Sequence, residues 1–120
     1  MSCLFNSLSR FVKDDRIDGA VLRKLICDYL ETNPMIFDDM TAETTIKEEN
    51  GLDIATYVSN MRNSGTFGGA IEIRSFTKIF KLNVLVRSLP NSKNIEFIEN
   101  TDCLWAYITW NGGHFEAVEN

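Results

Sequence analysis

Gly69-Ala-Ile-Glu-Ile-Arg-Ser-Phe-Thr-Lys-Ile-Phe-Lys-Leu-Asn-Val-Leu-Val-Arg-Ser88 contains two hydrophobic periods, one after the other. Ile71, Ile73, Phe76, Ile79 and Phe80 are the apolar residues of a helix from Gly69 to Phe80. The period then changes, and Asn83 to Ser88 is a Val- and Leu-rich strand. Downstream, Pro90-Asn91-Ser92 is turn chemistry and Lys93 to Ile98 alternates as a partner strand. Cys103 to Trp110 reads as a third strand. Asn111-Gly112-Gly113 is a tight turn, and His114 to Val118 returns as a hairpin partner.

Upstream, the pattern is helical. Leu4, Phe5, Leu8, Phe11 and Val12 give a short amphipathic helix with Cys3 in its first turn. Asp18 caps a second helix to about Thr32, with Val21, Leu22, Leu25, Ile26, Tyr29 and Leu30 as its buried stripe. Asn33-Pro34 ends it, and Met35 to Met40 reads as a loop or single turn. Thr41 caps a polar helix that Gly51 stops, and Leu52 to Arg62 forms another with Ile54, Tyr57, Val58 and Met61 inward. Helices first and an antiparallel meander after them make an α+β chain.

The chain has 120 residues, 44% hydrophobic and 24% charged, which suits one domain with one core. The net charge of -5 and the lack of any Lys or Arg block argue against a nucleic-acid surface. No apolar run reaches membrane-spanning length and no basic-then-apolar leader opens the chain, so no membrane partner is expected. Cys3, Cys27 and Cys103 are odd in number and not in paired spacing, so they read as free thiols of a reducing, cytoplasmic compartment. With one His and no CxxC, a structural zinc site is not expected.

A thiol becomes a nucleophile as the thiolate, which a helix start and a neighbouring imidazole both favour. Cys3 occupies a helix start, and His114 is the one imidazole in the chain. Two residues on along a strand, Glu116 shares the face of His114 and can orient its ring. By spacing alone, a cysteine near a helix start is more often a small core residue, and a single histidine more often structural. Cys27 and Cys103 read as core or near-core. Asp38, Asp39, Glu43, Glu48 and Glu49 read first as a solvated polar face.

Three blocks, taken together, favour the sharper reading. Ser2-Cys-Leu-Phe-Asn-Ser-Leu-Ser9 resembles the cysteine box of the ovarian-tumour (OTU) family of cysteine proteases, an Asp-Gly-Asn-Cys-Leu-Phe-Arg-Ser-like run. Gly65-Thr-Phe-Gly-Gly-Ala-Ile-Glu-Ile73 resembles its Thr-Trp-Gly-Gly signature with an Ile-Glu-Leu-like continuation. Gly113-His-Phe-Glu-Ala-Val118 is similar to its histidine box. The blocks occur in the family's order and cover nearly the whole chain.

The resemblance implies a papain-like α+β fold over 1–120 and hydrolysis of the bond after the Gly-Gly terminus of ubiquitin or a ubiquitin-like protein. It implies Cys3 as nucleophile, His114 as general base and Glu116 at the position of the usual Asn or Asp, with no metal or organic cofactor. A diglycine enters a channel too narrow for side chains. Phe67 and Gly68 on one side, with Trp110 and Gly113 on the other, are the candidate walls; ordinary core packing is the competing reading of both aromatics. Ubiquitin or a relative is the implied partner, and a monomer the expected state. Phe67 stands where the family has Trp. Only Met1 and Ser2 precede Cys3, where the family carries Asp three residues and Gly two residues earlier. This fits a trimmed form, or a module that binds ubiquitin or another protein with weak or no turnover. An unrelated α+β domain with three structural thiols is the remaining alternative.

Overall fold

Local signals set the helices. In the computed structural model, which describes residues 3–118, α1 (Cys3–Ser9) buries Leu4, Phe5 and Leu8. In α2 (Gly19–Glu31), the Asp18 side chain accepts a hydrogen bond from the Val21 N–H at the start. Its buried stripe lies about one position from the expected one. Val21 is 38% exposed, whereas Arg23, a residue that rarely enters a core, is 4% exposed. Thr41 caps α3 (Ala42–Asn50), with Gly51 in a left-handed conformation at its end. Asp53 caps α4 (Ile54–Met61), which buries Tyr57, Val58 and Met61 and leaves Ile54 half-buried. Gly69 precedes α5 (Ala70–Phe80), whose Ile71, Ile73 and Phe76 enter the core.

Met35 to Met40, expected to be a loop, forms a small antiparallel pair instead: β1 (Met35–Phe37) with β2 (Met40–Thr41). Ile36 carries it into the core at 1% exposure, and the Arg74 Nε–H donates to the Ile36 carbonyl at 2.7 Å.

The main sheet contains β3 (Asn83–Ser88), β4 (Lys93–Phe97), β5 (Trp105–Trp110) and β6 (Phe115–Ala117), in the order β4-β3-β5-β6. β3 is antiparallel to β4 and β5 antiparallel to β6, but β3 and β5 run parallel. The α+β class and the mainly antiparallel sheet hold, and the expected simple meander does not. After the β3–β4 hairpin, the chain crosses to the other side of β3 before laying down β5. Asn83, fully buried, fastens this crossover. Its Oδ1 accepts from the Glu99 and Asn100 N–H groups at 2.8 and 3.2 Å, and its Nδ2 donates to the Asn100 and Cys103 carbonyls at 2.9 and 3.2 Å. Val84, Val86, Ala106 and Ile108 are the sheet's share of the core.

Candidate active site

Cys3 is the first residue of α1 and is half-buried. Unsatisfied backbone N–H groups gather at such a helix start and favour a negative charge. Leu4, Phe5 and Leu8 sink one face of α1 into the core, and its other face carries Cys3, Asn6 and Ser7 toward a cavity. The Ser7 hydroxyl donates back to the Cys3 carbonyl at 2.7 Å. Met1 and Ser2, which precede Cys3 in the sequence, lie outside the described residues.

His114 is held by the turn before it. The Asn111 Oδ1 accepts from the Gly113 N–H at 3.1 Å and the His114 N–H at 2.9 Å, and the Asn111 N–H donates to the His114 carbonyl at 3.1 Å. Gly112 takes φ +104°, a conformation that L side chains rarely adopt. His114 does not itself begin the strand: β6 opens at Phe115, one residue later than expected. Phe115 pairs with Trp110 and Glu116 with Thr109. The His114 Nε2 lies 3.6 Å from the Glu116 Oε1, with the two side chains 51% and 69% exposed.

The structure brings Cys3, His114 and Glu116 together. All three line one open cavity of about 400 Å³, along with Asn6, Ser7 and Arg10. A thiol at a helix start sharing a cavity with an imidazole and a carboxylate has the parts of a thiol hydrolase. Among the described residues, no three of His, Cys, Asp and Glu are grouped as metal ligands would be. Nor is any helix long and apolar enough to cross a membrane.

The expected channel walls do not gather in this cavity. Phe67 is 59% exposed, so it is not a core residue; with Gly68 it lines a neighbouring cavity of about 330 Å³. Trp110 is half-buried and lines a third, apolar cavity of about 210 Å³, its ring 6.4 Å from that of Phe115. Gly113 is exposed, and a Cβ there would meet nothing within 4 Å. Ala70 is common to the second and third cavities, and Phe115 to the third and first, so the three adjoin. Gly68 touches the site from behind. A Cβ on it would come within 2.8 Å of the Leu4 Cδ2 and 3.1 Å of the Phe5 ring.

Sequence alone assigns Asn6 and Arg10 no role at the site, and reads Asn111 only as part of the turn from Trp110 to Gly113. Spacing of three and seven residues from Cys3 was the available signal for the first two, since it continues one helical face. For Asn111 the signal was an Asn opening a glycine turn.

A thiol and an imidazole facing one cavity of an α+β chain is an arrangement that cysteine hydrolases use, and the comparisons say which family this chain is in. Residues 2–113 match the family model of the OTU-like cysteine proteases, so the chain belongs to that family. The match ends one residue before His114. "Putative ubiquitin thioesterase 232R" of Invertebrate iridescent virus 3 is 26% identical over 105 residues, which are 84% of this chain but 12% of that protein. A solved ovarian tumor (OTU) domain in complex with ubiquitin superposes with a TM-score of 0.74 at 23% identity, over 97% of this chain and 62% of that one. The Hazara virus OTU bound to ubiquitin gives 0.74 at 14% identity, over 98% and 74%. The chain therefore spans a small part of the curated relative and less than two thirds of the first of these OTU domains.

Proposed function

We propose that the chain is a deubiquitinating cysteine protease, with Cys3 as nucleophile, His114 as base and Glu116 as the carboxylate that orients the ring. The observation that carries this reading is the cavity shared by Cys3 and His114. Family membership supports it, as does the likeness to OTU domains solved with ubiquitin.

The reaction follows from the parts. Nε2 of His114 is the nitrogen on the Glu116 side, which leaves Nδ1 to take the thiol proton. The Cys3 Sγ adds to the carbonyl carbon at the end of a Gly-Gly tail, and backbone N–H groups near the helix start steady the oxyanion. The carbon–nitrogen bond then breaks as the imidazolium gives its proton to the departing amine, leaving a thioester on Cys3. Water, deprotonated by His114, attacks the thioester; the thiolate leaves and the glycine carboxylate is released.

Ubiquitin with a thiol-reactive group at its C-terminus should form a covalent adduct at Cys3 and none with Cys3→Ala. His114→Ala should slow turnover of a ubiquitin substrate by about 10²- to 10⁴-fold. An adduct that survives Cys3→Ala removes this assignment. Tight binding of ubiquitin without adduct or turnover would instead favour a non-catalytic ubiquitin-binding module.

A further inference from the structure

Two charged side chains are buried outside the Cys3 cavity, and both hold the same segment of chain. Arg23 on α2 is 4% exposed and Glu72 on α5 is 1% exposed. The Arg23 Nη1 donates to the Met61 carbonyl at 2.7 Å and its Nη2 to the Thr66 carbonyl at 3.0 Å. The Glu72 Oε1 accepts from the Gly69 N–H at 2.7 Å, while its Oε2 accepts from the Tyr57 hydroxyl at 2.6 Å. Residues 61–69 are thus fastened at both ends.

That segment is the seat of the first turn of α1. Gly68 lies against Leu4 and Phe5, so close that a Cβ would force one of them to move. The Arg23 guanidinium also sits 4.3 Å from the centre of the Phe5 ring. Leu4 and Phe5 follow Cys3 directly, so anything that shifts the segment shifts the sulfur. On its other side α1 meets β6, the strand that follows His114.

Buried charges are a poor route to stability, because apolar residues of similar volume do as well or better. Apolar residues cannot, however, hold two carbonyls and an N–H of a loop at fixed points. We propose that Arg23 and Glu72 are positioning residues, which clamp residues 61–69 beneath α1 and so set where Cys3 stands relative to His114. This rests on the catalytic roles proposed above for those two residues. A misplacement of about 1 Å at reacting atoms costs on the order of a hundredfold in rate.

The test uses the full chain and ubiquitin bearing a fluorogenic C-terminal amide. Arg23→Met and Glu72→Met keep the volume and remove the clamp. Each should lower kcat by about ten- to a hundredfold with KM within about twofold, and Arg23→Lys and Glu72→Gln should recover part of the loss. If the Met variants melt earlier yet match wild-type kcat well below their midpoints, the residues only stabilise the fold and the proposal is overturned. Should Arg23→Met not fold, the Glu72→Met and Glu72→Gln pair decides. A second readout is independent of ubiquitin: the pH profile of Cys3 alkylation by iodoacetamide, with Cys103 as internal reference. Even if the wild type does not cleave ubiquitin, the Cys3 profile should shift in the Met variants while that of Cys103 stays in place. Unchanged Cys3 profiles in a chain without turnover would overturn the clamp as well.

Discussion

Cys3 and Cys27 carry the same thiol in different surroundings. Cys27 is fully buried on α2, and desolvation, the largest influence on it, pushes its pKa up to about 11. At pH 8 roughly one molecule in a thousand would hold it as thiolate. Cys3 and Cys103 are both half-buried. Iodoacetamide at pH 8 should therefore modify Cys3 and Cys103 in the folded protein and leave Cys27 until denaturant is added, which peptide mass mapping can follow. Modification of Cys27 at the rate of the other two would contradict its burial. The same contrast explains which site residues the sequence could reveal. A cysteine at a helix start and a single histidine announce themselves by residue type, and Glu116 follows from the two-residue repeat of a strand. Phe67 and Trp110 do not, because an aromatic residue has the same sequence signature in a core, on a surface or beside a groove. Here one is exposed and the other half-buried in a different cavity.

Among the elements, the helices were legible because their ends are written in single residues. Asp18 and Thr41 each accept an N–H three residues on, and Gly51 closes α3. Asp53 accepts one in the same way for α4, whose start was expected at Leu52 and falls at Ile54. Strands have no such punctuation, and their partners are chosen by distant contacts. The parallel pairing of β3 with β5 depends on residues 98–104 crossing to the other side of β3, and the side chain that fixes this is Asn83. An Asn opening a Val- and Leu-rich strand was the one local hint. Asn83→Ala would leave two N–H groups and two carbonyls of the crossover without this partner. An unsatisfied buried polar group costs about 1–3 kcal/mol, and water reaching the exposed stretches of the loop recovers part of that. The expected loss is about 3 kcal/mol in urea unfolding, well above the ~1 kcal/mol of an ordinary substitution. A loss under about 1 kcal/mol would mean that β5 finds its place without Asn83.

For the molecule as a whole, the buried carboxyl of Glu72 ties stability to pH. Desolvation raises its pKa above the ordinary value of 4.5, against the opposing pull of hydrogen bonds from Tyr57, Gly69 and its own N–H and of the charge on Arg23. Burial likewise pushes the Tyr57 phenol upward, the nearby Glu72 adding to the effect, so it remains a neutral donor. Between 4.5 and the raised folded value, the folded chain holds a proton that the unfolded chain has lost. Stability from this group is fully present below 4.5 and is lost as pH rises through the folded value. Glu72→Gln removes the titration and keeps an acceptor for the Gly69 N–H. The difference in unfolding free energy, variant minus wild type, should therefore grow from pH 4.5 upward by about 1.4 kcal/mol for each unit crossed, then level off above the folded pKa. The exposed carboxylates of Asp14 and Asp28, both held below their ordinary value mainly by hydrogen bonds from Arg16 and from Lys24 and Arg62, are common to both proteins and cancel. Urea titrations across pH 4.5 to 8 read the difference directly. A constant offset over that range would show that Glu72 ionises like a solvated carboxylate, at odds with its 1% exposure.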